Sequence, residues 1–527
     1  MRSPWLRVEC SVFVLLLGSY AFFWHSRDWN TASRLILTYA MADRGTVCLD
    51  GLDRQTGDIA HFQGHYYCDK LPGFSLLATA PYRLAQGAFG FPAHPLNGEA
   101  KDYWPADYWV TLGTSGLFTA LSAVLLVRLA RDLGCSPRRS ALVGMAYGLA
   151  TPAYVYATLA YGHQLSAFAL TASFYLLSKG GTRRAAVRLM AAGFLAAYAA
   201  VTELQVGPAS AILGLYLLVQ CLRRQRRPGA LACFAIGAAV PTLILLAYNV
   251  LAYGSPWEMG YFHHATAQFA KVHSRQNPLG LRMPAPTLIV PLLWGEYRGL
   301  FYYAPILLLA IPGWFVLAAR RYLETAAVSF SIAAAVFVVN LSYPEWTGGW
   351  STGPRLLVPL LPFAMIPVAA LLAGRGRWSR LAAWTAALLA LAGGALMLLF
   401  QGVGARIPQD VDLPLRAIVW PLWTGRAALP TWWTGQRFTR SVISVLAGDW
   451  VQGLPASRQA IQFLPLVLAQ FLAIAGIVWT AGEGRQPGPG TAPSDLGVDE
   501  QKKRGGPDQD AQDPEAEPHR VDPDPAP

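Results

Sequence analysis

Two carboxylates and a lysine stand out in the segment TGDIAHFQGHYYCDKLPGF: Asp58 near its start, and Asp69 with Lys70 near its end. The segment is rich in aromatics and glycines and leads into an apolar stretch from Phe74 to Ala85. Such a segment can lie along a membrane surface and direct its polar groups into a cavity. An acid there can serve as a general base, provided it reaches the proton it removes. A lysine there can bind a phosphate as a point charge. Arg298 and Arg355 stand beside Gly or Pro at the outer ends of expected helices. Guanidinium groups contact phosphate bidentately, which makes both expected phosphate ligands, with interface anchoring as the alternative. Glu203, the only acid between Asp132 and Glu258, ends an apolar run, where an ionisable group is either functional or a helix cap. His163 lies near the outer end of another run and is expected either in the site or at the interface. His61 and His65 are spaced i, i+4 with Cys68 close by, but Gly64 weakens the helix that would put both rings on one face, and no metal site is expected. Cys48 and Cys68 face an oxidising compartment in this reading, where a disulfide between them is one option and free thiols the other.

The elements that must position these residues are apolar. Hydrophobic residues make up 54% of the 527 and charged residues 14%, against about 25% charged in ordinary soluble proteins. About twelve stretches approach the ~20 residues needed to cross a membrane: 8–24, 108–127, 141–158, 161–178, 188–204, 206–222, 230–252, 301–319, 325–341, 355–373, 379–399 and 461–481. The expected fold class is therefore all-α and polytopic. Short loops carrying Arg128 to Arg139, Lys179 to Arg188, Arg223 to Arg227, Arg320 with Arg321, and Arg375 to Arg380 belong in the cytoplasm by the positive-inside rule. Both termini are then cytoplasmic, and residues 25–107, 254–300 and 400–460 form large outer loops. The first run is expected to be an uncleaved anchor. Residues 1–483 make one transmembrane domain. Residues 484–527 hold ten acids and five bases among Pro, Gly and Gln, and are expected to be a disordered cytoplasmic tail. The net charge of +12 sits between apolar runs, which points to topology rather than nucleic acid. G-x-x-x-x-G-K-[ST] and G-x-G-x-x-G are both absent, so nucleotide-driven chemistry lacks its usual signatures.

Four segments carry a resemblance. SRLILTYAMADRGTVCLD with TGDIAHFQGHYYCDKLPG is similar to the first outer loop of GT-C glycosyltransferases, in the bacterial branch related to protein O-mannosyltransferases and lipid A aminoarabinose transferases. YNVLAYGSPWEMGY (Tyr248 to Tyr261), YRGLFYYAP (Tyr297 to Pro305) and EWTGGWSTGPRLLVPLLPF (Glu345 to Phe363) resemble later motifs of that branch. The resemblance spans residues 25 to about 373. It implies a large first extracytoplasmic loop and transfer of a sugar from a polyprenyl-phosphate donor to an acceptor at the outer face of the plasma (inner) membrane. It also implies an inverting hexosyl or pentosyl transfer, mannosyltransferase-like, without nucleotide or organic cofactor; a divalent metal is compatible but not indicated. A carboxylate would deprotonate the acceptor, and cations would stabilise the departing lipid phosphate. The chain departs from the branch in one place. The first-loop acid of those enzymes lies just before the S-R-like step, whereas WNTASR has Asn30 and Thr31 there, with Asp28 two residues early. Asp58 is therefore the expected base, and Asp69, in the acid–Lys–Pro step, orients Lys70.

Two other classes compete. A flippase of lipid-linked sugar should carry ionisable residues within broken spans, but the acids here cluster in the outer loops. A non-catalytic partner of an envelope-synthesis complex would tolerate loss of every outer acid. The acceptor, whether glycan, lipid or protein, is left open. Tyr343, Trp346 and Trp350 fit an aromatic belt at the headgroup level, or a stacking surface for sugar.

Overall fold

The computed structural model describes residues 4–94, 105–181, 184–374, 376–426, 437–455 and 458–481. The expected tail lies outside the described residues. The chain is an all-α, multi-pass membrane protein. Among the described residues, eight helices are long and apolar enough to cross a membrane: Pro105–Asp132, Ala185–Thr202, Leu204–Leu222, Gly229–Tyr253, Leu323–Leu341, Arg355–Leu372, Arg377–Val403 and Gln459–Thr480. The twelve expected stretches thus become eight by length and composition. The other four are helical but fall short. Pro4–Ala21 carries Arg7 and Glu9. Thr151 and Pro152 divide the third stretch into Pro137–Leu149 and Ala153–Tyr156. His163–Ser178 has 16 residues, and Pro305–Ala319 is also short. Hydropathy runs straight through such breaks, because proline interrupts the backbone without interrupting apolarity.

Helix contacts are close where side chains vanish. A Cβ on Gly193 would lie 1.9 Å from the Phe234 carbonyl, and one on Gly237 would lie 1.9 Å from the Met190 carbonyl. The helices Ala185–Thr202 and Gly229–Tyr253 therefore meet backbone to backbone, as small residues allow in membranes. Pro4–Ala21 joins the same core through Val8, Val12, Leu16 and Tyr20. Its Glu9 pairs with Arg128 at 2.7 Å.

The basic loops gather at one end of the bundle. Arg139 donates to the carbonyl of Leu372 at 2.7 Å. Arg320 donates to Ala370 and Ala373 at 2.9 Å each, and Arg226 to Leu177 at 2.6 Å and Lys179 at 3.2 Å. Each arginine thereby satisfies carbonyls that a helix C-terminus leaves open, where positive charge is also favoured by the dipole. Ala185–Thr202, Leu323–Leu341 and Arg377–Val403 all start at this basic end. Their far ends lead to Glu203, Tyr343 and Arg406, which line the cavity described below.

The described residues of 25–107, the expected first outer loop, form secondary structure of their own. Helix Trp29–Arg44 starts with a capping box, in which Asp28 accepts from the Thr31 amide at 2.7 Å and Thr31 Oγ1 accepts from the Asp28 amide at 2.9 Å. It ends on Gly45 at φ 64°. Strands Ile59–Phe62 and His65–Cys68 form a hairpin. Its two-residue turn, Gln63 and Gly64, has positive φ at both positions (50° and 85°), as a tight hairpin of right-handed twist requires. This register bears on two sequence readings. Ile59 faces Cys68 and His61 faces Tyr66, so alternation puts His65 on the face opposite His61 and Cys68, and the three cannot share a metal. Cys48 pairs by its backbone with Tyr67, and so points away from its sequence neighbour Cys68. Both thiols are free, and Cys68 is buried against Ser33 Oγ at 3.1 Å.

Candidate active site

At the end of the bundle opposite the basic loops, the chain encloses a cavity of about 760 Å³. Asp58, Asp69, Lys70, Glu203, His163 and Arg355 all line it. Segments up to 300 residues apart in sequence thus converge on one space.

The hairpin places the first acids. Asp58 precedes strand Ile59–Phe62 and Asp69 follows strand His65–Cys68, so pairing of the two strands brings both carboxylates to the same end. Lys70 Nζ bridges them, hydrogen-bonded to Asp69 Oδ2 and 3.0 Å from Asp58 Oδ2. Asp69 is fully engaged. Ser33 Oγ donates to its Oδ1 at 2.9 Å, and His264 Nε2 lies 3.4 Å from Oδ2. Burial would raise the Asp69 carboxyl, but Lys70 and His264 outweigh it and hold it below the usual carboxylate range. Burial likewise disfavours the Lys70 ammonium, and the charges of Asp58 and Asp69 outweigh this, so its pKa is raised. Asp58 is less committed, with Lys70 as its ion-pair partner and a side chain 12% exposed to the cavity. An ammonium has three donors, so after both carboxylates Lys70 keeps one N–H for a further acceptor. Asp58, Asp69 and His264 bring ligand atoms within 4.8 Å of one another, a grouping able to hold a metal ion, and Lys70 supplies a fixed cation to that grouping.

Glu203 interrupts two helices. It is extended (φ −141°, ψ 108°) between Ala185–Thr202 and the turn Leu204–Val206. The cap alternative is not met, since its side chain makes no cap hydrogen bond. Instead it pairs with Arg34 at 2.6 Å, both side chains nearly buried, with His163 Nδ1 at 3.7 Å. The pair ties helix Trp29–Arg44 to the bundle.

Arg355 and Arg298 separate. Arg355 lies over the Tyr161 ring, 4.9 Å from its centroid, and its Nε has no hydrogen-bond partner among the described residues. Beneath it runs the glycine loop of the segment Glu345 to Phe363. Gly348 and Gly349 have φ of 72° and 69°, and a Cβ on Gly348 would stand 3.2 Å from Arg355 Nε. Arg298 does not line the cavity. It is fully buried and donates to the carbonyls of Thr347 (2.9 Å), Tyr297 (3.0 Å) and Gly349 (3.0 Å). The expected phosphate ligand is thus a brace for the glycine loop, because left-handed glycines turn carbonyls inward and those need a donor.

Other cavity residues escaped the sequence reading. Asp28 caps its helix and also lines the cavity, with Tyr161 donating to its Oδ2 and Arg406 at 3.6 Å. Burial would raise its carboxyl; Arg406, Tyr161 and Thr31 hold it low. Its position two residues before Asn30 was the available signal. Tyr261 closes the motif Tyr248 to Tyr261, whereas His264 and Arg406 carried no local signal. Trp350 and Tyr343 line the cavity, while Trp346 meets Tyr297 edge-on.

No protein-family profile and no curated protein matches the chain. Solved structures do. One is ArnT from Cupriavidus metallidurans bound to undecaprenyl phosphate, at 15% identity and TM-score 0.48, over 91% of this chain and 77% of that one. A second is the oligosaccharyltransferase AglB from Archaeoglobus fulgidus with an inhibitory peptide and a dolichol-phosphate, at 12% identity and TM-score 0.46, over 74% and 55%. A third is an apo oligosaccharyltransferase of Archaeoglobus fulgidus, at 13% identity and TM-score 0.45, over 80% and 58%. The chain spans little more than half the length of the two oligosaccharyltransferase chains.

Proposed function

We propose that the chain is a glycosyltransferase that takes a hexosyl or pentosyl group from a polyprenyl-phosphate donor. It passes the sugar to an envelope acceptor at the outer face of the plasma (inner) membrane, with both termini cytoplasmic. The observation that carries this reading is the pairing, in one cavity, of an acid whose side chain is 12% exposed with a guanidinium that, among the described residues, has no carboxylate within 4.0 Å. Asp58 is the acid and Arg355 the guanidinium.

Asp58 accepts the proton of the acceptor hydroxyl. The acceptor oxygen bonds to the anomeric carbon as the bond from that carbon to the phosphate oxygen breaks. The electron pair leaves with the polyprenyl phosphate, and its charge falls on Arg355 and the remaining N–H of Lys70. One displacement of this kind inverts the anomeric centre. Asp69 acts through Lys70 and orients it. Trp350 and Tyr343 offer faces for sugar, and the reading calls for no cofactor.

The test is transfer by purified protein in detergent, from a panel of polyprenyl-phosphate sugars, followed by mass spectrometry of the products. Product that disappears with Asp58→Asn supports the reading. Folded protein that neither binds nor consumes any donor sinks it in favour of a non-catalytic partner. Donor flux across sealed vesicles without transfer would favour a flippase.

A further inference from the structure

A second cluster of ligating side chains lies where the segment before the hairpin pairs with strand His65–Cys68, outside the cavity. Cys48 pairs with Tyr67 across an antiparallel bridge, and the Leu49 amide donates to the Tyr66 carbonyl at 2.8 Å. That register sets Asp50 opposite His65. Alternation then puts Cys48, Asp50 and His65 on one face and leaves Cys68 on the other. The contacts agree. Asp50 Oδ2 is 2.7 Å from His65 Nδ1, and Asp50 Oδ1 accepts from the Tyr66 amide at 2.8 Å. The thiol sulfur, a carboxylate oxygen and a ring nitrogen all lie within 4.8 Å of one another. The Asp50 and His65 side chains are 45% and 58% exposed, so an ion reaches them from solvent.

We propose that Cys48, Asp50 and His65 bind one zinc-class divalent ion, with water as the fourth ligand. One thiolate, one imidazole and one carboxylate form a borderline-soft donor set that suits zinc. Calcium and magnesium need more oxygen ligands and no sulfur. Bond lengths of about 2.0–2.3 Å put tetrahedral ligand atoms about 3.5 Å apart, so side-chain rotation on the existing strands closes the site. On binding, the ion replaces the Asp50–His65 hydrogen bond and takes Cys48 as thiolate, releasing its proton. Asp50 keeps the Tyr66 amide on its other oxygen, which fixes the carboxylate's direction. The ion would pin the hairpin to the segment before it. Because Asp58 and Asp69 stand at the open end of that hairpin, the site is a brace for the cavity acids rather than part of them.

The test uses full-length protein in detergent, stripped of metal with EDTA and titrated with Co²⁺. The expected result is one equivalent bound, with a thiolate-to-cobalt charge-transfer band that Zn²⁺ displaces, and a Tm that rises with Zn²⁺. Cys48→Ser should abolish the band. Asp50→Asn and His65→Ala should each weaken binding by at least about tenfold. His264→Ala, at the cavity acids, should leave the band intact. The proposal is overturned if monodisperse wild-type protein shows no band, if the band survives Cys48→Ser, or if His264→Ala is the variant that removes it.

Discussion

Replacing Asp58 by Asn keeps the side chain's shape and removes its basicity; the same change at Asp69 removes a buried anion instead. The structure separates the two. In Asp58→Asn, Lys70 keeps its contact with Asp69, so the buried charges stay balanced. Loss of a general base costs about 10²–10⁴ in rate, which is about 3–5.5 kcal/mol of barrier. Donor affinity and Tm should change little. In Asp69→Asn, the carboxylate lost has a fully buried side chain and is held by Lys70, Ser33 and His264. Removing one partner of a buried ion pair costs about 3–5 kcal/mol, reduced here because Asp58 still faces Lys70. A lower Tm and a misplaced lysine should follow. The assay is single-turnover transfer from a saturating polyprenyl-phosphate sugar, with donor binding and thermal unfolding measured on the same preparations. If Asp69→Asn is well folded and inactive while Asp58→Asn turns over normally, the base is Asp69. If both turn over normally, the carboxylate mechanism in this loop is wrong.

Arg355→Ala should weaken donor binding by roughly ten- to a hundredfold, since a hydrogen bond to a charged group is worth about 1.5–3 kcal/mol; unchanged affinity by direct titration would remove it from the phosphate site. Arg298→Ala should act on stability, because three buried carbonyls lose their donor, and a variant with normal Tm and impaired donor binding would contradict the brace. Arg34→Met leaves Glu203 buried without its partner and should cost about 3–5 kcal/mol, much of it recovered in the double variant with Glu203→Gln; Tm values of the four proteins check this. The Asp69 carboxyl is depressed in the folded chain, so its stabilisation is complete above the unfolded value of about 3.9 and fades as pH falls below it; Asp69→Asn should flatten the loss of Tm below about pH 4. Deleting residues after Gly484 should leave insertion and activity nearly unchanged, read by membrane fractionation and transfer, because that composition cannot join a core.

The apolar stretches, the basic loops and the longer polar segments between them were all determined by the sequence alone, because apolar length and loop charge act locally and sum along the chain. They were enough to expect a multi-pass helical protein with its acids gathered in the outer loops. Asp58, Asp69, Lys70, Glu203, His163 and Arg355 were likewise legible, as ionisable groups are costly beside a membrane and few are present. Spacing could not say how they pair. Arg298 and Arg355 look alike in sequence, yet the left-handed Gly348 and Gly349 turn carbonyls onto one and leave the other facing the cavity. Asp28 reads as a helix cap until Arg406, 378 residues away, closes over it. Cys48 and Cys68 look like a disulfide until the hairpin register turns them to opposite faces, and the same register sets Asp50 beside His65. Only the tertiary structure decided these points, because the partner of a buried charge, or the face of a strand, depends on contacts between segments that no local pattern connects.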